Sequence, residues 1–245
     1  MKKNIFALFI MAVIAIGSLP AQDLDEILKT YFETIGQEKL LEANTISSTG
    51  KMMQMGMEMP FKMTFKRPKK LHLEVDVQGT KMVQGYDGEN GWMIAPWTGS
   101  AEPIDIAGIE LQQLDENADM DGKLWNYKEK GSEMELVGTE DMEGSDVFVL
   151  KLTTKDGNVD TYYLDSENYV ILKSISKIFM QGSEVEVESF MSNFQEVDGY
   201  VMPFTTEQKF GGQGGMTMNI ETVEYNIKVD DSIFAKPAVP AAVEE

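Results

Sequence analysis

From residue 45 onward, apolar side chains return at every second position, and this period limits the possible folds more than any other feature of the chain. Phe61, Met63 and Phe65 alternate with Lys62, Thr64 and Lys66; Leu71, Leu73, Val75 and Val77 alternate with His72, Glu74 and Asp76. A period of two gives each strand one dry and one wet face, the pattern of antiparallel sheets. Further strands are predicted at 134–138, 146–153, 158–165, 169–180, 184–195, 200–210 and 216–229. Turn signals separate them, including Glu143-Gly144-Ser145, Asp156-Gly157, Gln181-Gly182-Ser183, Asp198-Gly199 and Gly211-Gly212. Short strands joined by tight turns form a meander, closed or nearly so.

Three stretches break the period. Lys2-Lys3, an apolar run from Ile5 to Ile16 and small residues up to Ala21 read as a secretory signal, too short to span a bilayer. Between 23 and 42, Leu24, Ile27, Leu28, Tyr31, Phe32 and Ile35 recur at helical spacing, and Gly36 ends the stripe. The segment 97–121 carries Ile104, Ile106, Ile109, Leu111 and Leu114, then Asp115, Glu116, Asp119 and Asp121. It reads as a loop with a short helix laid over something apolar. A lid and a plain surface crossover fit it equally. No Pro/Gly/Ser linker divides the chain. The expected layout is a signal at 1–21, one domain at 22–234, and a disordered acidic tail at 235–245.

The formal charge of −20, about −22 once Lys2 and Lys3 leave with the signal, opposes nucleic acid and anionic surfaces. Catalytic chemistry finds little purchase. There is no Cys, and His72 is the sole histidine, expected as a satisfied or solvated side chain on a polar strand face. No Gly-x-Ser-x-Gly elbow, phosphate loop or dinucleotide fingerprint occurs. Asp115, Asn117, Asp119 and Asp121 alternate as calcium ligands do, but neither EF-hand register places both the sixth-position Gly and the twelfth-position Glu. Nothing singles out a carboxylate pair for glycoside hydrolysis. The chain has 18 methionines, and Met52, Met53, Met55, Met57, Met59 and Met63 cluster. Ordinary core, an adaptable apolar cavity and a Cu(I) site all use such residues, and a turn at Gly56 would spread them over two strands. No metal or cofactor is assigned.

The stretch Asp87-Gly88-Glu89-Asn90-Gly91-Trp92-Met93-Ile94-Ala95-Pro96 is a hairpin whose outgoing strand carries Trp92 and Ile94 on one face. Upstream lies Lys66-Arg67-Pro68 at a strand end. Together, in the order helix, strands, lid segment, strands, these motifs resemble the LolA/LolB-type outer-membrane lipoprotein-sorting carriers. The acidity and the C-terminal stretches around Tyr200 to Phe204 and Val229 to Phe234 mark a divergent member. The resemblance implies a mainly β, single-domain, strongly curved antiparallel sheet: an incomplete β-barrel with an N-terminal helix and a short helical lid. It implies an apolar cavity for lipid or lipoprotein acyl chains, and it gives Arg67 the role of holding the empty carrier closed by bonds to the lid.

The resulting expectation is a periplasmic, monomeric, non-enzymatic carrier that binds lipid or acyl chains and meets envelope membrane proteins. Cavity and lid residues are expected to be Phe61, Met63, Phe65, Arg67, Leu71, Leu73, Trp92, Ile94, Ile109, Leu111 and Leu114. Alternation puts Arg67 on the apolar face with Phe65, where a guanidinium needs partners. At the strand end it can instead turn outward into water. The alternatives are an envelope interaction module with a filled core and, behind it, a methionine-rich copper binder; enzymatic activity ranks third among the function classes, after carrier and module.

Overall fold

The computed structural model describes residues 23–238 apart from Pro96, Thr98, Ser100, Ala101 and Gln181. The expected signal at 1–21 and the tail beyond 238 lie outside the described residues. Among those residues, no helix is long and apolar enough to cross a membrane.

Helix α1 (Leu24–Ile35) starts where the Asp23 carboxylate accepts the Asp25 N–H, with Asp25 and Glu26 in the first turn, where the helix dipole favours acids. It ends at Gly36, whose φ of 70° suits glycine, and α2 (Gln37–Glu42) follows. The remainder is a sheet with strands β1 (Thr45–Gln54), β2 (Met57–Lys66), β3 (Lys70–Val77), β4 (Thr80–Tyr86), β5 (Gly91–Ile94) and β6 (Ile104–Ile106). Helix α3 (Gly108–Asn117) interrupts it, and β7 (Glu133–Met142), β8 (Ser145–Thr153), β9 (Val159–Asp165), β10 (Ile171–Met180), β11 (Ser183–Val197), β12 (Tyr200–Phe210) and β13 (Gln213–Tyr225) complete it.

All thirteen strands form one sheet in the order β6-β5-β4-β3-β2-β1-β13-β12-β11-β10-β9-β8-β7. Two meanders run outward from the centre, where β1 and β13 pair antiparallel. The sheet is curved but stays open, because β6 and β7 are its two edges. The lid segment therefore contains a short edge strand as well as the expected helix.

Register assigns every side chain to a face. Phe65 stands opposite Leu71, Leu71 opposite Tyr86, Tyr86 opposite Gly91, and Gly91 opposite Ile106. A second row on this inner face runs Met63, Leu73, Gln84, Met93 and Ile104. Both helices sit on the inner side. Ile27 and Leu28 of α1 pack on Phe148, Leu150, Leu152 and Leu164, while Leu114 of α3 packs on Leu71, Tyr86 and Ile106. Between them lies a third apolar cluster of Met59, Phe61 and Val75 bordered by Met52, Met63, Met82 and Met218. The turn at Met55 and Gly56 does divide the methionine run between β1 and β2. Cross-strand pairing then brings Met52, Met59 and Met218 side by side.

Candidate functional site: the inner face beneath helix α3

Helix α3 has a narrow apolar stripe. Leu114 is buried and Leu111 partly so, while Ile109 on the flank is half exposed. The seat for the stripe is made by a missing side chain. A Cβ on Gly91 would lie 2.9 Å from a Leu114 methyl and 3.0 Å from one of Leu111, so glycine lets the helix approach the sheet. From there α3 reaches to the opposite wall. The Gln113 amide, oriented so that both of its groups are satisfied, donates to Phe179 O at 3.0 Å and accepts from Phe179 N–H at 2.6 Å. A single side chain thus binds the backbone of β10 as a neighbouring strand would.

Polar bonds complete the closure. Asp115 accepts from Tyr86 Oη at 2.8 Å and from Lys69 Nζ at 2.8 Å. Desolvation works to raise the Asp115 pKa, but the bonds from Lys69 and Tyr86 hold the carboxyl below its ordinary range. The Tyr86 hydroxyl is pushed up to about 12, by burial first and then by Asp115. Glu116 meets Lys123 Nζ at 3.2 Å, and Lys123 also holds the buried Asp160 at 2.8 Å. Asp119 meets Lys130 at 2.6 Å. The acidic alternation that resembles a calcium loop is in fact a row of ion pairs tying α3 and its following turn to the rest of the chain. Among the described residues, no three His, Cys, Asp or Glu side chains gather as a metal-ligand set.

Arg67 stands at the root of the closure. Its Nε donates to Ala43 O at 2.7 Å and its Nη2 to Leu40 O at 3.0 Å, both near the C-terminus of α2, where a cation is favoured. Nη2 also meets Asp121 Oδ1 at 2.6 Å, with each side chain about three-quarters covered. Gln37, itself buried, donates to the backbone carbonyl of the same Asp121 at 3.2 Å. The guanidinium therefore points neither into water nor into bare hydrocarbon; it joins β2, α2 and the end of the lid segment.

Cavities border α3 on its polar sides. One of about 400 Å³ is lined by Lys69, Gln112, Asp115, Glu116, Asp119, Lys123, Lys130, Leu152 and Lys155, among others. A smaller one of about 190 Å³ lies between Ile109, Gln113 and β10. A larger groove, about 760 Å³, is elsewhere, between α1–α2 and residues 124–129, with Phe32 and Trp125 packed edge to face at 4.9 Å.

The expected site residues separate into two groups. Phe61, Met63, Phe65, Leu71, Leu73, Leu111 and Leu114 all face inward, and Ile109 borders the cavity at β10. Trp92 and Ile94 do not join them. Trp92 stands opposite Gly85 and Ile94 opposite Val83, in the rows that carry Thr64, His72, Lys62 and Glu74 on the outer face. The reason is parity: Tyr86 pairs with Gly91 across the turn, so the inner positions of β5 are 91 and 93.

The outer face holds what sequence reasoning missed. The Trp92 indole lies across Gly85, where any Cβ would collide with it, and its N–H donates to Phe234 O at 2.9 Å. Phe234 is fully buried beside Lys70, and Asp231 meets both Lys66 and Lys70. This C-terminal strap is pinned further by Lys236 on Asp105 at 2.7 Å, and the Trp92 ring that it holds lies 6.3 Å from the His72 ring. His72 is only 8% exposed, so of the satisfied or solvated positions expected for it the solvated one is excluded. Desolvation lowers its pKa below 6.5 despite Glu74, whose carboxylate lies 3.9 Å from Nδ1.

With this geometry, comparison with other proteins becomes informative. A family model described as "uncharacterized protein"-like matches residues 63–240. The chain belongs to that family. A comparison with curated proteins gives no match. Among solved structures it is similar to a DUF1329 family protein from Desulfovibrio piger ATCC 29098, at 16% identity and a TM-score of 0.57, over 85% of this chain and 97% of that one. It is equally similar to a LolA superfamily protein from Nitrosomonas europaea, at 13% identity and a TM-score of 0.57, over 85% of this chain and 97% of that one. A domain described as outer membrane lipoprotein-sorting from Vibrio parahaemolyticus matches at 16% identity and 0.53, over 83% and 96%. The fold of this family member is thus LolA-like, a curved, open, antiparallel sheet.

Proposed function

We propose that the protein is an exported carrier that binds lipid or lipoprotein acyl chains on its inner face, with α3 as the lid, as part of outer-membrane lipoprotein sorting. The observation that carries this reading is how α3 is attached. A narrow apolar stripe rests on an apolar wall, and the remaining attachments are polar bonds that water can replace: Gln113 to Phe179, Asp115 to Lys69 and Tyr86, and Arg67 to Asp121. An acyl chain can take over the apolar contacts of Leu111 and Leu114, and Met52, Met59, Met63, Met82 and Met218 extend the wall with unbranched side chains that adapt to different chains. The role is binding, with no catalytic step assigned. The LolA-type fold and the sorting description of a structural neighbour support this reading at the level of fold.

A second reading is an envelope interaction module. It is favoured by the closeness of the closed arrangement, in which Leu114 and Ala118 are buried against Leu71, Tyr86 and Ile106. Native mass spectrometry of the mature protein, prepared from a bacterial periplasm, distinguishes the two. Carriage predicts co-purified lipid, displaceable by a fluorescent fatty acid. A protein that is empty and ignores the fatty acid overturns carriage and leaves the module.

A further inference from the structure

The cavity of about 400 Å³ beside α3 is lined by Lys69, Lys123, Lys130 and Lys155, by Asp115, Glu116, Asp119 and Asp156, and by Leu152. In a chain with 41 acidic and 21 basic residues, lysines there reach parity with carboxylates, and Asp156 is taken by the Gln112 amide at 3.0 Å. Leu152 is fully buried and belongs to the apolar cluster beneath α1, so the cavity borders the apolar inner side at that point. Three of the lysines are neutralised by carboxylates on α3 or the turn just after it: Lys69 by Asp115, Lys123 by Glu116 and Lys130 by Asp119. Lys155, on the β8–β9 turn, forms no ion pair among the described residues and acts on Asp115 through space. The ammonium groups thus belong largely to the framework, and the carboxylates that satisfy them belong to the lid.

We propose, resting on the carrier reading, that this cavity seats the anionic head of an amphiphile, a carboxylate or a phosphate, whose apolar chain lies along the inner face. An entering anion meets Lys155 first and then replaces Asp115 on Lys69 and Glu116 on Lys123. Each replacement removes one bond that holds α3 down. Head-group binding and lid opening are therefore one equilibrium, because the ligand anion and the lid carboxylates compete for the same cations. Lys123 keeps Asp160 throughout, so the framework side stays charge-balanced while the lid lets go.

The test uses the mature full-length chain and four probes: oleate, oleoyl lysophosphatidic acid, oleoyl lysophosphatidylcholine and mono-oleoylglycerol, with inorganic phosphate alone as a fifth. Affinities come from calorimetry, and α3 opening from amide hydrogen exchange. The expected result is that at least one anionic probe binds about tenfold or more tighter than the neutral and zwitterionic ones, with the gap shrinking between about 50 and about 500 mM salt. Oleate against lysophosphatidic acid tells a carboxylate head from a phosphate head. Lys69→Gln with Lys155→Gln, both at exposed turns, is expected to shrink the anionic preference to less than about threefold. Equal affinities for all the oleoyl probes, or an unchanged preference in the double variant, overturn the head-group site and leave carriage standing. Inorganic phosphate binding as tightly as the acyl anions also overturns it, since the site would then read the anion without its chain. If no oleoyl probe binds, the carrier reading falls and takes this inference with it.

Discussion

The hairpin of β4 and β5 is covered on both faces, and the two covers are built differently. On the inner face α3 rests on Gly91 through a narrow leucine stripe and is held further by ion pairs and by the amides of Gln112 and Gln113. On the outer face the C-terminal strap buries Phe234 completely and takes the N–H of Trp92, whose ring neighbours the buried His72. Each face uses a glycine for close approach: Gly91 admits α3 inside, and Gly85 admits the Trp92 indole outside. The difference lies in what must be broken. Lifting the strap uncovers the fully buried Phe234, whereas lifting α3 uncovers Leu114 on its seat of Leu71, Tyr86 and Ile106 and exchanges a row of ion-pair partners for water. One cover is part of the folded core; the other is suited to open and close.

The largest effect expected from this contrast is at Phe234. Phe234→Ala leaves a void under the strap and is expected to destabilise the whole protein by about 3–5 kcal/mol in urea unfolding. A loss below about 1 kcal/mol would show the strap to be an ornament rather than core.

Arg67→Leu comes next. It strands the Asp121 carboxylate and the carbonyls of Leu40 and Ala43 at a mostly covered site, which is expected to cost about 1–3 kcal/mol. The effect should be local. Amide exchange is expected to accelerate in α3 and the turn to Asp121 while the strap keeps its protection. Parent-like exchange in α3 would remove Arg67 from any role in closure.

The smallest effect separates the two covers by pH. The pKa of His72 is depressed in the folded state, so its neutral form is the folded form. Its contribution is complete above 6.5 and is lost as pH falls through the depressed folded value. Glu74 opposes this depression, while Lys62 and Lys81 add to it. Asp115 is also depressed, but from a carboxylate's ordinary 3.8, so its hold on α3 persists until pH falls below that value. Between pH 7 and 5 the strap is therefore expected to loosen while α3 does not, and His72→Gln is expected to flatten that part of the stability profile. Exchange that rises first in α3 would reverse the assignment.

The contrast also marks what the sequence could tell. Alternation in 61–65 and 71–77 placed the inner wall correctly, because consecutive strands with one buried face repeat the same parity. Trp92 and Ile94 were misplaced because their face depends on how Tyr86 and Gly91 pair across a four-residue turn, and apolarity alone does not encode that choice. Gly91 was the available clue: a glycine at an inner position implies a neighbour that needs the space. The strap left no local signal, since Phe234 meets Trp92 across 142 positions. The same distance hid the burial of His72, whose own neighbours read as a wet face. The acids at 115–121 were visible as a pattern, but their meaning depended on lysines at 69, 123 and 130.

One further consequence follows from the ends of the strand order. Edge strands β6 and β7 share no ladder bonds, so the wall of this half-barrel has a seam. An increase in girth bends the sheet without rupturing any strand pairing. What crosses the gap is α3, fastened to β10 through the two Gln113 bonds. On the carrier reading, the range of cargo sizes is then set less by the volume enclosed at rest than by the length and fastening of one ten-residue helix.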